Sequence, residues 1–212
     1  ALCSTPAGVF RRDQGEWLQV AAPAEAAPAR TIVAGTVPHR AYLVGRRDLY
    51  VSEDSGSSWR RVEHSLPSNQ PEFTELVIAP PPGERLYAIV DARLFISTDG
   101  GATWGALRDG LPETRLEALG VDPSAAGRIW LSSGDRIYRS DDSGSTWRSV
   151  GAPLPEPGTV VRGIAADATA RSIVLATHRG LSRSSDEGQS WQLLEGNLPV
   201  HLESKPLVRD PA

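Results

Sequence analysis

Ser140-Asp141-Asp142-Ser143-Gly144-Ser145-Thr146-Trp147 is the stretch that decides the fold of this chain, because it recurs. Three other segments match it without gaps from the aspartate to the tryptophan: Ser52–Trp59, Ser97–Trp104 and Ser184–Trp191. A fifth copy, Arg11–Trp17, is one residue shorter. Consecutive aspartates are 41, 45, 43 and 44 residues apart, and periods of this length are typical of repeat architectures.

The repeated segment has the chemistry of a turn between two strands. Asp can accept backbone N–H groups that follow it, and Gly permits positive φ. Apolar and aromatic runs such as Leu49–Val51 and Leu94–Ile96 precede the turns and suit β-strands. After each turn the tryptophan is predicted to anchor the returning strand by burial. After the last four tryptophans a Leu-Pro pair is predicted to end that strand.

These segments resemble the Asp-box motif, Ser/Thr-x-Asp-x-Gly-x-Thr/Ser-Trp, also called the bacterial neuraminidase repeat. In that family the box is a structural hairpin turn between the outer two strands of a β-propeller blade. The family includes sialidases, xyloglucanases, sortilin-type receptors and photosystem II assembly factors. The residues identified with the box are Asp13, Gly15, Trp17, Asp54, Gly56, Trp59, Asp99, Gly101, Trp104, Asp142, Gly144, Trp147, Asp186, Gly188 and Trp191.

The predicted fold is all-β: a five-bladed β-propeller of four-stranded antiparallel blades, forming a single domain over residues 1–212. The expected blades span about 29–66, 67–111, 112–154, 155–198, and 199–212 together with 1–28. The segment Ala1–Phe10 aligns with second and third strands, whereas Leu198–Pro211 resembles a first strand. The C-terminal strand is therefore expected to pair with the N-terminal strands and close the ring.

Composition limits the classes of function. The net charge is −4, which gives no general attraction for nucleic acid, and no apolar run is long enough to insert in a membrane. Cys3 is the single cysteine, so the chain can form no internal disulfide. A monomer is expected. The family favours secreted or periplasmic proteins, but no signal peptide is visible and the compartment stays open.

No cofactor or metal is expected. The box loops place a second carboxylate only at Glu53, Asp141 or Glu187, and none has the bidentate glutamate spacing of a calcium loop. The four histidines are scattered rather than paired at ligand spacing.

A ligand surface is expected at the mouth of the channel, where the innermost strands and their entry loops converge. The candidate residues there are Arg30, Glu75, Arg115, Glu117, Arg162, His201, Glu203 and Lys205. Repeat position relates Glu75, Glu117, Arg162 and Glu203. The loop segments 21–28 and 70–73 are expected to add exposed contacts, the second through Phe73.

Three functions fit these observations. The first is a non-catalytic module that binds another protein, similar to the assembly-factor branch of Asp-box propellers, and no catalytic residues are assigned. The second is a glycan-binding propeller, for which Trp130 is the one tryptophan outside the boxes. The third is a small glycoside hydrolase that uses mouth carboxylates such as Glu75 and Glu117.

Overall fold

The structure is a computed structural model that describes residues 1–5, 7–27, 29–125, 127–155, 158–167 and 172–194. It contains five antiparallel sheets, in each of which strands adjacent in sequence are adjacent in space. We number these sheets as blades 1 to 5 in chain order. The five-bladed β-propeller fold predicted from the repeat is confirmed.

The strands are short, as expected for propeller blades. Blade 1 contains β1 (Leu2–Thr5), β2 (Gly8–Asp13) and β3 (Glu16–Val20). Blade 2 contains β4 (Thr31–Ala34), β5 (Ala41–Val44), β6 (Leu49–Ser52) and β7 (Arg60–Arg61). Blade 3 contains β8 (Phe73–Ala79), β9 (Arg85–Val90), β10 (Arg93–Ser97) and β11 (Gly105–Leu107). Blade 4 contains β12 (Ala118–Val121), β13 (Ile129–Ser133), β14 (Arg136–Ser140) and β15 (Arg148–Val150). Blade 5 contains β16 (Val161–Asp167), β17 (Ser172–Thr177), β18 (Gly180–Ser184) and β19 (Gln192–Leu194).

Blade 1 has three strands in the described part of the chain, where the other blades have four. The strand expected to complete it, from residues 199–212, lies outside the described residues. One 3₁₀ helix, Ala24–Ala26, follows blade 1.

Two compact units make up the chain. The first consists of Ala1–Asp91 and Phe95–Ala106, and the second of Ala92–Leu94 and Leu107–Ala212. In the first unit, β4 lies beside β8, and buried residues such as Tyr42, Leu86 and Phe95 form the core. In the second unit, β12 lies beside β16, and Trp130, Ile164 and Leu175 are part of the core.

The box turns owe their shape to a serine as much as to the aspartate. In blade 4, buried Ser140 donates its hydroxyl to Asp142 Oδ1 at 2.8 Å and accepts the Gly144 N–H at 2.8 Å. Asp142 then accepts the backbone N–H of Thr146 at 2.9 Å and its hydroxyl at 2.6 Å. Blades 2, 3 and 5 repeat this network around Asp54, Asp99 and Asp186.

The tryptophans of the boxes differ in burial. Trp104 and Trp147 are buried, and each indole Nε1 donates to the carbonyl of its box glycine, at 2.8 and 3.0 Å. Trp59 and Trp191 are only half-buried. Trp17 is 49% exposed, so the prediction that every box tryptophan is buried is wrong for the first copy. The first copy has Arg11 where the other boxes have the buried serine.

Candidate binding surface

The first strands of blades 2 to 5 share one irregular position. In blade 3, Phe73 lies opposite Val90 and Glu75 opposite Ile89, so Thr74 is an extra residue in a β-bulge. In blade 5, Arg162 is the extra residue between Val161 and Gly163. Bulges interrupt the ladder and redirect a side chain, and they occur often beside functional sites.

Blades 2 and 4 place an arginine and a glutamate at the same position. Arg30 donates its N–H to the Val44 carbonyl, although Val44 already lies opposite Thr31. Glu117 donates its N–H to the Ser132 carbonyl, although Ser132 already lies opposite Ala118. We call this the bulge position, and its four occupants are Arg30, Thr74, Glu117 and Arg162.

The side chains at the bulge position are at least partly exposed, although the Glu117 Oε2 and Arg162 Nε atoms are buried. Arg30 is exposed, and the other three occupants are partly exposed. Most of the residues on either side are buried, as with Leu116 and Ala118 around Glu117, whereas Ala29 beside Arg30 is half-buried. Packing therefore restricts the neighbours more strictly than the residue at the bulge position.

Glu75 differs from its predicted placement. The strand register aligns Glu75 with Ala118 and Gly163, one residue beyond the bulge position. Its side chain is 6% exposed, so it belongs to the buried part of β8. Alignment on the box aspartates missed this shift because the loops between first strand and box differ in length. Thr74, which the sequence did not single out, occupies the bulge position instead.

Arginines surround one carboxylate on the first unit. Arg30 Nη2 lies 2.8 Å from Glu72 Oε1, and Arg46 Nε lies 3.7 Å from the same oxygen. Arg46 and Arg47 form the turn between β5 and β6, and both are exposed. The Arg46 backbone carbonyl accepts the Phe73 N–H at 3.0 Å, which ties this turn to the start of β8. We call Arg30, Arg46, Arg47 and Glu72 the arginine surface.

The second unit carries the other described candidates. Arg115 is exposed in the segment before β12, and its carbonyl accepts the Ser133 hydroxyl at 2.9 Å. Glu117 and Arg162 occupy the bulge positions of β12 and β16. His201, Glu203 and Lys205 lie outside the described residues.

Two predicted loop contacts are corrected by the structure. Phe73 is fully buried and packs edge-on against His64 and Trp104, so it is not available to a ligand. In the alanine-rich segment, Ala26 is 1% exposed and belongs to a small core with Val9 and Leu43. Ala26 is the exception in this segment, because Ala21, Ala24, Glu25 and Ala27 are exposed as expected.

Trp130 is also buried, at 2% exposure, and lies beneath Arg139, whose guanidinium carbon is 5.4 Å from the ring centroid. A tryptophan covered in this way cannot stack on a sugar. This removes the aromatic on which the glycan-binding alternative depended.

The second carboxylates of the boxes take part in ion pairs rather than in open loops. Arg40 Nε donates to Glu53 at 3.0 and 3.1 Å, and Arg40 Nη1 donates to Glu84 Oε1 at 2.9 Å. The Tyr42 hydroxyl also donates to Glu84, at 2.6 Å. Burial alone would raise the pKa of Glu84, but hydrogen bonds from Tyr42, Arg40 and the Thr36 N–H lower it.

Blade 4 has an equivalent cluster. Arg128, like Arg40, precedes its box aspartate by 14 residues, and its Nε donates to Asp141 Oδ1 at 2.8 Å. Arg139 and Arg148 both donate to Asp141 Oδ2 at 3.0 Å. Arg139 also bridges to Glu187 at 2.9 Å. These carboxylates are neutralised by guanidinium groups, which argues for a structural role.

The described residues contain no group of three or more His, Cys, Asp or Glu side chains arranged to hold a metal ion. A helix of the length and apolarity needed to cross a bilayer is likewise missing from the part of the chain that the structure describes.

The sequence of the chain matches one known protein family. A family model described as "Sortilin, neurotensin receptor 3" (Sortilin-Vps10) matches residues 92–203, just over half of the chain. No curated protein matches the chain in sequence.

Solved structures share the fold at low sequence identity. The GH74 enzyme of Niastella koreensis is 17% identical over 90% of this chain and 35% of its own length, with a TM-score of 0.66. YCF48 from Cyanidioschyzon merolae is 17% identical over 87% of this chain and 65% of its own, with a TM-score of 0.63. A structure of YCF48 bound to D1 peptide is 19% identical over 80% and 53%, with a TM-score of 0.59. The chain thus spans about a third to two thirds of the length of these proteins, and the likeness shows the fold alone.

Proposed function

Since the chain belongs to the Sortilin-Vps10 family, we propose that it is a non-catalytic propeller that binds another protein through its entry loops. By entry loops we mean the segments before each first strand and the turns between second and third strands. The arginine surface carries this proposal, because it brings together residues from three such segments of the first unit.

The geometry of the arginine surface suits contact with a partner. Arg30 and Arg46 share a single carboxylate, and the Arg46 side chain is 65% exposed. Exposed ion pairs of this kind add little stability, so their removal costs the fold little. Arginine is also enriched where proteins bind each other, since its planar group can form several hydrogen bonds and stack on apolar surface.

The comparisons support a protein partner without identifying one. One structural neighbour, YCF48, was solved with D1 peptide bound. Neighbours that are GH74 enzymes share the same scaffold, but a fold of this kind hosts unrelated functions. Burial of Trp130 weakens the case for a glycan ligand, and burial of Glu75, at 6% exposure, weakens the case for a catalytic pair of mouth carboxylates.

Charge reversal at the arginine surface tests the proposal. The double variant Arg46→Glu/Arg47→Glu would be compared with Arg60→Glu, which changes charge on the exposed outer strand β7. Proteins captured by the intact chain from cells of the source would be identified, purified and titrated against each variant. We expect the double variant to bind at least tenfold more weakly and Arg60→Glu to bind within twofold of the parent.

The affinity of the parent should also fall as salt is raised, because the surface interaction is between exposed charges. Equal affinity of parent and double variant for every captured protein would overturn the proposal. Turnover of a polysaccharide by the parent that Glu117→Gln abolishes would do so as well.

A further inference from the structure

The outer strand of blade 1 is longer than those of blades 2, 3 and 4. β3 (Glu16–Val20) has five residues, whereas β7, β11 and β15 have two or three. The first box is one residue shorter than the others, and Gln14 and Gly15 alone join its strands, both at positive φ. This is a two-residue hairpin, in which pairing resumes directly after the turn. The shortened box therefore gives blade 1 a longer outer edge.

Two residues of β3 direct their backbone polar groups outward. The Arg12 N–H bonds toward the β1 side, so its neighbour Arg11 faces β3. Arg11 lies opposite Leu18, which therefore bonds to β2. Because bonding alternates along a strand, the N–H and C=O groups of Trp17 and Gln19 point away from β2, toward the outer edge.

This outer edge is separate from the place where the ring is expected to close. The strand order in blade 1 is β1-β2-β3, so a strand that completes the blade lies beside β1, at the opposite edge of the sheet. Within the described residues, β3 pairs with β2 alone.

The side chains of β3 also differ from those of a protected edge. Trp17 is 49% exposed and Leu18 is 48% exposed, and successive residues of a strand point to opposite faces of the sheet. Glu16 is the single charged residue of the strand. The outer strands of blades 2 and 4, by contrast, carry exposed arginines, and charges of this kind protect free edges from pairing.

We propose that β3 is the interface of a homodimer, in which it pairs antiparallel with β3 of a second copy about a two-fold axis at Leu18. Trp17 of one copy exchanges two backbone hydrogen bonds with Gln19 of the second copy, and the reciprocal pair adds two more. Leu18 lies opposite its own counterpart in a non-hydrogen-bonded pair, and the two side chains cover each other. The dimer replaces the monomer expected from the sequence.

The sequence of β3 favours a second copy as the occupant. The two outward residues are equally spaced from Leu18, so the strand matches itself in the antiparallel direction. The same pairing places Glu16 opposite Val20 of the second copy, so no like charges face each other. A two-fold contact of this kind is self-complementary and closed, and it is the commonest symmetry of soluble oligomers.

Analytical ultracentrifugation of the full 212-residue chain tests the inference. The weight-average mass should rise from 22.7 kDa toward twice that value between about 10 and about 500 µM, because small interfaces associate weakly. Hydrogen exchange at the amides of Trp17 and Gln19 should slow over the same range. A mass that stays at that of one chain throughout would overturn the inference.

Two variants of the edge have matched controls. Gln19→Pro removes an outward N–H and leaves the bonds to β2 intact, and Gln19→Ala is its control. Leu18→Lys places two ammonium groups opposite each other, and Ala106→Lys makes a similar change on the exposed strand β11. Gln19→Pro and Leu18→Lys should each weaken dimerisation at least tenfold, and both controls should dimerise within twofold of the parent. If Gln19→Pro unfolds, Leu18→Lys decides the question. Dimerisation that every variant retains would overturn the inference.

Disulfide trapping tests the register of the paired strands. In a chain that also carries Cys3→Ser, Leu18→Cys places two thiols opposite each other at a Cα separation of about 4.5 Å, which a disulfide can span. Glu16→Cys is the control, because its counterpart lies four residues along the strand, about 13 Å away. With oxidised glutathione, Leu18→Cys should crosslink at least tenfold faster, and equal rates would overturn the inference. Arg46→Glu/Arg47→Glu should dimerise as the parent does, so failure of the dimer and failure of the proposed function are distinguishable.

Discussion

The four complete boxes and the first box connect their strands with different turns. Strand pairing continues to Asp13 opposite Glu16 in the first box, whereas residues 141–147 separate β14 from β15 in blade 4. In blade 4, Ser140, Asp142 and Thr146 form a closed hydrogen-bond network beneath a buried tryptophan. The first box keeps the aspartate and glycine, but Arg11 stands in the serine position and Trp17 is half exposed. The difference indicates that the serine network and contact with a neighbouring blade attach the complete boxes to the core.

The largest difference in stability between the two kinds of box is expected when their tryptophans are replaced. Trp147→Ala should lower the free energy of unfolding by about 3–5 kcal/mol, because it empties a buried site and removes the bond to Gly144. Trp17→Ala should cost under about 1 kcal/mol, since much of that ring is already in water. Urea unfolding of both variants measures this. Similar losses would mean that the two boxes are equally anchored.

A smaller difference in stability is expected when the box glycines are replaced by alanine. Gly15 and Gly101 have φ of 94° and 95°, so alanine would strain both backbones alike. A Cβ at Gly101 would lie 2.6 Å from Leu49 Cδ2, whereas one at Gly15 would meet nothing within 4 Å. Gly101→Ala should therefore be less stable than Gly15→Ala by about 1–3 kcal/mol, the usual cost of overpacking. Thermal melts compare the pair, and equal destabilisation would remove the role assigned to the neighbouring blade.

The buried serine of a complete box is expected to make the next largest contribution to stability. Ser140→Ala leaves the Gly144 N–H without its acceptor and should cost about 1–3 kcal/mol in chemical denaturation. Ser149→Ala, on the exposed outer strand of the same blade, serves as the control and should change stability by less than about 0.5 kcal/mol. A parent-like Ser140→Ala would show that the aspartate alone holds the turn.

The smallest expected effect is a gradual loss of stability at low pH, as the aspartates of the complete boxes become protonated. Hydrogen bonds from the Thr146 hydroxyl, the Thr146 N–H and the Ser140 hydroxyl lower the pKa of Asp142 to about 2, and Asp54, Asp99 and Asp186 behave alike. An unfolded aspartate titrates near ~3.9. The folded state thus binds fewer protons, so this stabilisation is complete above about pH 4 and declines toward pH 2.

The melting temperature recorded from pH 7 to pH 2 measures this loss of stability in acid. Its slope should be shallower in Asp142→Asn, which has no carboxylate to protonate at that box. An unchanged slope in this variant would contradict the link between the box and acid sensitivity.

The repeat predicted much of the fold because its signals are local. Turn chemistry at Asp142 and Gly144 and the spacing of the boxes sufficed for five blades. Burial depends on what lies beside a residue, which is why Trp17, Phe73 and Ala26 were misjudged. The serine two residues before every box aspartate except Asp13 is part of the repeated motif, and the structure adds the hydrogen bonds that it makes.

The candidate surface was only partly predictable. Arg30, Glu117 and Arg162 were singled out, but their common bulge position depends on how each first strand pairs with the second. Glu75 was placed with them because loop length shifts the count from the box by one residue. Arg46 joins the surface through a tertiary hydrogen bond to β8, for which the sequence carries no local signal.

The bulge has a consequence for how such chains diverge. Each first strand places one side chain at the bulge position, and it is arginine, threonine, glutamate and arginine in blades 2 to 5. Point mutations there can exchange cation, hydroxyl and anion while the scaffold stays intact. A propeller of this kind can therefore acquire new specificities in evolution without passing through poorly folded intermediates.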